Sequence, residues 1–508
     1  MTKRVEFNKS ILLNLMCIVF IGGLTSFSLS AQSQPSKKIA FETDVIAIEE
    51  KHLTVDYWLN KLSDKDKRLM SKHEISAFNQ ALVHSNPYIE DPLATALELT
   101  KSTLSDKVNQ IISIPNSARY FTNKTRLTEG DYLKLRDNVN LAGINEVNAV
   151  SYALVIQRSV LRTFPTWQRA FKLNDDGEID QALDLFQESG IFPGEAVAVL
   201  HKSKDGLWAL VQAYNYLAWM PAKDLAIGEK EQISKFINAK HFVTVTGGKV
   251  FVDISRNSQQ NESSLLQLDM GVRLPIIARS DYATFDIAKP DNVNGQNPYA
   301  NYIVQFPAKN SVGKLVFTAL AIPKSKDVVV GTLAMTQENI IKQSFKFLGE
   351  RYGWGHDFNG RDCTGFIGEI YKSFGLLMPR NSGQQAKSDY GQNIRFSLVQ
   401  QASEKALPLM VNSEKQEGLQ SLQVGDLLYL PGHVVMFLGM DNGQPYIIHD
   451  VKDYSVVQRN GELYQGVLNG VSVTPLLPLK DYVNQLSVIK RITQPVNKAD
   501  LMNKTTKR

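Results

Sequence analysis

Apolar positions along this chain change their spacing several times, and each change marks a segment. Val55–Leu62 and Asp64–Val83 carry helical spacing, with Leu69, Met70, Ile75, Phe78 and Leu82 on the apolar side and Ser63 to Asp66 as a start signal. Pro87 and Pro92 interrupt the helical spacing beyond Val83, so residues 41–115 read as a small helical N-terminal domain. From 116 to 228 the pattern becomes short alternating runs: Ala149–Gln157, Glu195–Leu200 and Leu207–Ala213, the last two joined by a turn at Lys202–Gly206. Asp180–Phe186 reads as a short helical insert. Short strands at this spacing predict a small β-barrel. A second β-rich segment, 229–326, is expected from His241–Thr246, Lys249–Ile254, Val272–Ala278, Asn301–Phe306 and Lys314–Ile322. Over 327–495 helices come first, at Gln337–Arg351 and Cys363–Gly375, the latter with Phe366, Ile367, Ile370 and Phe374 on one face. Strands come next, at Gly425–Leu430, His433–Met440 and Pro445–Asp450, with Asp441-Asn442-Gly443 as a hairpin turn. That order predicts an α+β domain.

Composition narrows the function classes. With 508 residues, 43% of them hydrophobic and 21% charged, the chain is globular and long enough for several cores. A net charge of +5 without any Lys/Arg block gives no reason to expect nucleic-acid binding. At the start, Lys3, Arg4 and Lys9 precede the apolar run Ile11–Leu24 and the small residues Ser28 to Ala31. Residues 1–31 therefore read as a signal peptide, which places the protein in the periplasm or cell envelope. The run is short for a span of about 20 residues, so no stable membrane anchor is expected. Met16 before Cys17 argues against a lipidation site. After cleavage one cysteine remains, Cys363, so no intrachain disulfide can form.

That cysteine opens a predicted helix, where free N–H groups stabilise an anion and lower a thiol's pKa. His433 starts one strand of the later hairpin and His449 ends the next, so the hairpin brings their ends side by side. The expected catalytic set is Cys363 as nucleophile, His433 as base and His449 as the group that orients the base. With no HExxH motif and no paired cysteines, neither metal nor other cofactor is expected. A GxSxG nucleophile elbow is also missing.

Tyr352-Gly353-Trp354-Gly355, Asp362-Cys363-Thr364-Gly365-Phe366, Pro379 to Ser382, Gly425-Asp426-Leu427-Leu428, Gly432-His433-Val434 and Ile448-His449 resemble, in order and spacing, the NlpC family of bacterial cell-wall cysteine peptidases. Thr364 stands where that family usually has Ser. Upstream, Arg162 to Thr166, Gln187–Val197 and Tyr214–Trp219 are similar to the first SH3-like domain of a multidomain subgroup. The resemblance implies a papain-like α+β peptidase domain preceded by two SH3-like β-barrels and a small helical domain. It also implies cleavage between γ-D-glutamate and a diamino acid in murein peptides, with a free N-terminal L-alanine favoured. Asp362, Thr364, Tyr352 and a tyrosine of the first SH3-like domain, Tyr216 in preference to Tyr214, are the implied substrate-binding residues. A murein-binding protein without activity and a thiol acyltransferase are the competing expectations.

Overall fold

The six-stranded sheet of the C-terminal domain explains why its strands read as unbroken apolar runs. Its antiparallel order is Gln392–Arg395, Val488–Arg491, Leu427–Leu430, His433–Asp441, Gln444–Val457, Leu463–Pro475. Both faces are covered. Tyr429, Val434, Met436 and Ile448 pack toward the helix Cys363–Ser373, while Leu428, Val435, Phe437 and Ile447 pack into a separate cluster with Leu419 and Val483. A strand buried on both faces needs apolar residues at every position, which removes the period of two. The Asp441–Gly443 turn takes left-handed conformations at Asn442 and Gly443, where those residue types cost least.

The structure is a computed structural model that describes residues 41–112, 114–254, 265–287, 292–293, 295–397, 411–457 and 463–492. The expected signal peptide at 1–31 lies outside them. Described residues from Thr43 onward belong to one unit, and among them no helix is long and apolar enough to cross a membrane.

Residues 151–228 form a seven-stranded antiparallel sheet with Ala153, Val197, Val211 and Met220 inside. The next β-rich segment holds a three-stranded sheet and two hairpins, Lys249–Asp253 with Leu265–Asp269 and Asn301–Lys309 with Leu315–Pro323.

Three expectations change. The helix expected over Asp64–Val83 begins at Ser71, whose hydroxyl and the Glu74 carboxylate cap each other's backbone N–H; Arg68–Met70 instead pairs with Met335–Thr336. Asp180–Phe186 is not helical. Asp184 uses its carboxylate to accept from the backbone N–H groups of Ala170 and Phe186, a local bonding pattern that competes with a helix. Finally, the helical residues before 115 have no core of their own. Trp58, Ile75, Phe78 and Leu82 pack into the C-terminal domain, where Gly439 leaves room for the Trp58 ring, whereas Leu99, Leu104 and Val108 pack with Trp208 and Leu210 of the barrel.

Candidate active site

The helix Cys363–Ser373 starts at Asp362, whose side chain accepts from the Gly365 N–H at 2.8 Å. This cap places Cys363 in the first helical turn. The backbone N–H of Val434 is near enough to pull the thiol's pKa down, so the thiol faces the start of the strand that carries His433. His433 Nε2 is 3.3 Å from His449 Nδ1, and His449 Nε2 is 3.0 Å from the Thr474 hydroxyl. The three sequence-derived residues therefore come together. Thr474 and Tyr482 were not legible: Thr474 comes from the next strand, and the Tyr482 ring lies edge-on to both imidazoles.

The hydrogen-bond chain sets the tautomers. For His433 to accept a proton at Nδ1, its Nε2–H must donate to His449 Nδ1, and His449 Nε2–H must then donate to Thr474. Losing the last acceptor costs about 1 kcal/mol. Thr474→Val is expected to lower kcat about five- to tenfold with little change in KM, and Thr474→Ser to restore it. Steady-state kinetics on the three proteins checks this.

Burial overrides the expected activation of the thiol by the helix start. Burial, followed by the Asp362 charge, pushes the Cys363 thiol up to about 12, against the pull of the Val434 N–H and Arg380. Burial likewise lowers His433 to about 4, although Asp362 opposes it. At neutral pH the resting pair is a neutral thiol and a neutral imidazole. Alkylation of Cys363 by iodoacetamide, followed by mass spectrometry, is expected to rise about tenfold per pH unit from pH 6 to 9. A rate that levels off from pH 5 upward would instead mark a preformed ion pair.

Asp362 is not a free carboxylate. Arg380 forks onto it at 3.1 and 2.6 Å, Gly355 N–H donates to it at 3.0 Å, and the Thr364 hydroxyl donates at 3.0 Å. Burial would raise its pKa, but Arg380 and the other donors hold it well below the usual carboxylate range. The implied role of Asp362 and Thr364 in meeting an ammonium therefore changes: both side chains are already engaged by Arg380, which also donates to Thr364 at 2.5 Å. Tyr352 is buried beside Asp362 and Cys363. Of the two barrel tyrosines, Tyr216 donates at 2.5 Å to Glu188 and lies near Arg380, whereas Tyr214 faces Lys372. Glu188, missed in the sequence, also accepts from Thr163 at 2.5 Å and meets no cation at ion-pair distance among the described residues. It lines a cavity of about 330 Å³ together with Tyr216, Asn381 and Gln384.

The loop before Cys363 is held from both sides. His356, Phe358 and Asn359 have positive φ, a conformation that side chains disfavour and that surrounding structure must impose. The barrel supplies much of that grip: Gln187 donates to the Gly355 carbonyl at 2.7 Å, Arg158 to the His356 carbonyl at 3.1 Å, and Gly190 N–H to His356 Nδ1 at 3.1 Å. A Cβ at Gly190 or Gly365 would collide with the His356 ring. His356 Nε2–H donates to Glu369, and Glu369 in turn accepts from the fully buried Arg361. Asp450, beside His449, is fully buried, and among the described residues neither of its carboxylate oxygens has a partner; burial, then Asp362 and Glu350, raise its pKa well above the carboxylate range. Among the described residues no three His, Cys, Asp or Glu side chains gather as a metal site.

Residues 349–471 match the NlpC/P60 family, and residues 169–221 match the SH3 domain of SH3b1 type. Two relatives are each named as a γ-D-glutamyl-L-lysine dipeptidyl-peptidase. The one from Bacillus cereus is 27% identical over 230 residues, covering 44% of this chain and 60% of the relative. The one from Bacillus subtilis is 39% identical over 228 residues, covering 43% and 64%. The chain thus spans less than two thirds of either relative's length. An NlpC/P60 endopeptidase from Photobacterium damselae subsp. piscicida, 17% identical, shares the fold with a TM-score of 0.62 over 87% of this chain and 97% of that one. The chain accordingly carries an NlpC/P60 domain preceded by an SH3 domain of the SH3b1 type.

Proposed function

We propose that this protein is an exported cysteine endopeptidase of the periplasm or cell envelope. Its substrates are murein peptides, cut between γ-D-glutamate and the diamino acid, with a free N-terminal L-alanine preferred. The observation that carries this reading is the His433–His449 pair, 3.3 Å apart, with His433 opening the strand whose start faces the Cys363 helix. Val434, next to His433, is also the backbone group that pulls on the Cys363 thiol, and all of these residues lie within the stretch that matches the NlpC/P60 family. The bond class is the one named for the two Bacillus relatives.

In this reading Cys363 attacks the scissile carbonyl while its proton passes to His433. A neutral pair requires that transfer during attack, not before it. The Asp362 cap takes the Gly365 N–H and leaves the Cys363 N–H at the helix start for the oxyanion. His433 then protonates the leaving amine, and water activated by His433 releases the acyl group. The substrate's ammonium meets Glu188 and the Tyr216 hydroxyl, because Asp362 is neutralised by Arg380. Tyr352 lines the same end.

Purified protein should release L-Ala-D-Glu and free diamino acid from L-Ala-γ-D-Glu-diaminopimelate, followed by mass spectrometry. Acetylating the alanine nitrogen should lower kcat/KM about tenfold to a hundredfold, the cost of leaving a buried charged group unpaired. Equal rates on both peptides would remove the amine preference. Binding to murein with no peptide released would favour a non-catalytic wall-binding protein, and products joined to a new amine would favour an acyltransferase.

A further inference from the structure

A cavity of about 930 Å³ lies apart from the Cys363 thiol, walled by the N-terminal helical segment, the barrel, the second β-rich segment and the end of the catalytic helix. Its volume is at the upper end of the range for organic ligands, about 300–1,000 Å³. Its charges are unevenly committed. On the acidic side, Glu195 pairs with Lys372, Glu90 lies 3.6 Å from Lys107, and Asp91 accepts from the Leu93 N–H. The cations Arg273 and Lys230 have no such partner. Arg273 stacks on the Phe242 ring at 3.8 Å and makes no hydrogen bond or ion pair with any described residue. Arg273 is exposed at the cavity wall, and no carboxylate there opposes the lowering of its pKa by the surrounding protein. Lys230 lies over the Tyr152 ring at 5.7 Å, also without a carboxylate. Elsewhere in the molecule Arg162, Arg361 and Arg380 each sit on an acidic side chain.

A guanidinium at a cavity wall, preoriented by an aromatic ring and left without an anion, is suited to a planar carboxylate. The rest of the wall includes Leu93, Phe236 and Pro275, which suit an apolar body. We propose that this cavity binds a small organic carboxylate with an apolar body, its carboxylate on Arg273 and Lys230. This site stands independently of the peptidase reading.

Calorimetric titration of the full chain with octanoate tests it. One octanoate per chain is expected. Octanamide, which keeps the body and loses the charge, should bind at least about tenfold more weakly, as should octanoate to Arg273→Gln. Arg273→Lys should weaken octanoate binding less than Arg273→Gln does, since the charge remains while the planar fork and its stacking on Phe242 are lost. Octanamide binding as tightly as octanoate, or no octanoate binding to wild type, overturns the proposal, and neither result depends on a variant folding. Unchanged octanoate affinity in folded Arg273→Gln also overturns it.

Discussion

Replacing Cys363 by alanine is expected to lower kcat on L-Ala-γ-D-Glu-diaminopimelate by about 10⁴-fold or more, with binding of the peptide retained. The size comes from the arrangement. Among the described residues around His433 the thiol is the strongest nucleophile; the Thr474 and Tyr482 hydroxyls beside the two imidazoles are weaker. His433→Ala should cost a similar factor, because a thiol pushed up to about 12 depends on a base to take its proton during attack. The two losses should not add: the double variant should be about as slow as either single one, since nucleophile and base act as a unit. Peptide affinity from calorimetry and kcat from product release separate binding from chemistry. Residual turnover within about tenfold of wild type in Cys363→Ala would show that the thiol is not the nucleophile.

Arg361→Met is expected to destabilise the protein by about 3–5 kcal/mol, the cost of breaking a buried ion network from one side. Arg361 is fully buried and donates to Glu369 at 2.8 Å, Glu350 at 2.5 Å, Asp269 at 3.1 Å and the Gly248 carbonyl at 2.7 Å. Without it, those carboxylates keep their burial and lose their shared cation. Asp269 is the most exposed to this loss, because burial and then Glu369 already raise its pKa and one of its oxygens has no partner. Asp269 belongs to the second β-rich segment and Glu369 to the catalytic helix, so the same change loosens the hold on the loop that ends at Cys363. Urea unfolding at pH 7 measures the effect. Adding Glu369→Gln should recover part of it by removing one unpaired charge. A shift below about 1 kcal/mol would mean that the network contributes only what exposed ion pairs do.

The contrast between these two residues shows which features were legible. Cys363 stands out along the chain because it sits at a helix start and matches a motif. Arg361, two residues earlier, is one arginine among many until Glu350, Asp269 and Glu369 are seen around it. His433 and His449 were legible because a short hairpin turn fixes which strand ends meet. Thr474 was not: it reaches His449 through a register between strands joined by a longer connection. Asp362 stands out in the motif, but its partner does not. Eighteen residues separate it from Arg380, and no local pattern says that this guanidinium lies on it. The helix expected over Asp180–Phe186 fails for a related reason, since Asp184 bonds to backbone groups that a helix would have used.

By itself the sequence determined what depends on neighbours along the chain. That covers the cap that starts the Cys363 helix, the apolar runs of the doubly covered sheet, the left-handed turn at Asn442-Gly443, and the proposal of Cys363 as nucleophile and His433 as base. Tertiary structure alone decided the electrostatics. Burial left the thiol and imidazole neutral and Arg380 claimed Asp362, while among the described residues Glu188 was left without a cation and Arg273 without an acid. Desolvation and Coulomb energy depend on what surrounds a charge in space, and spacing along a chain does not carry that information.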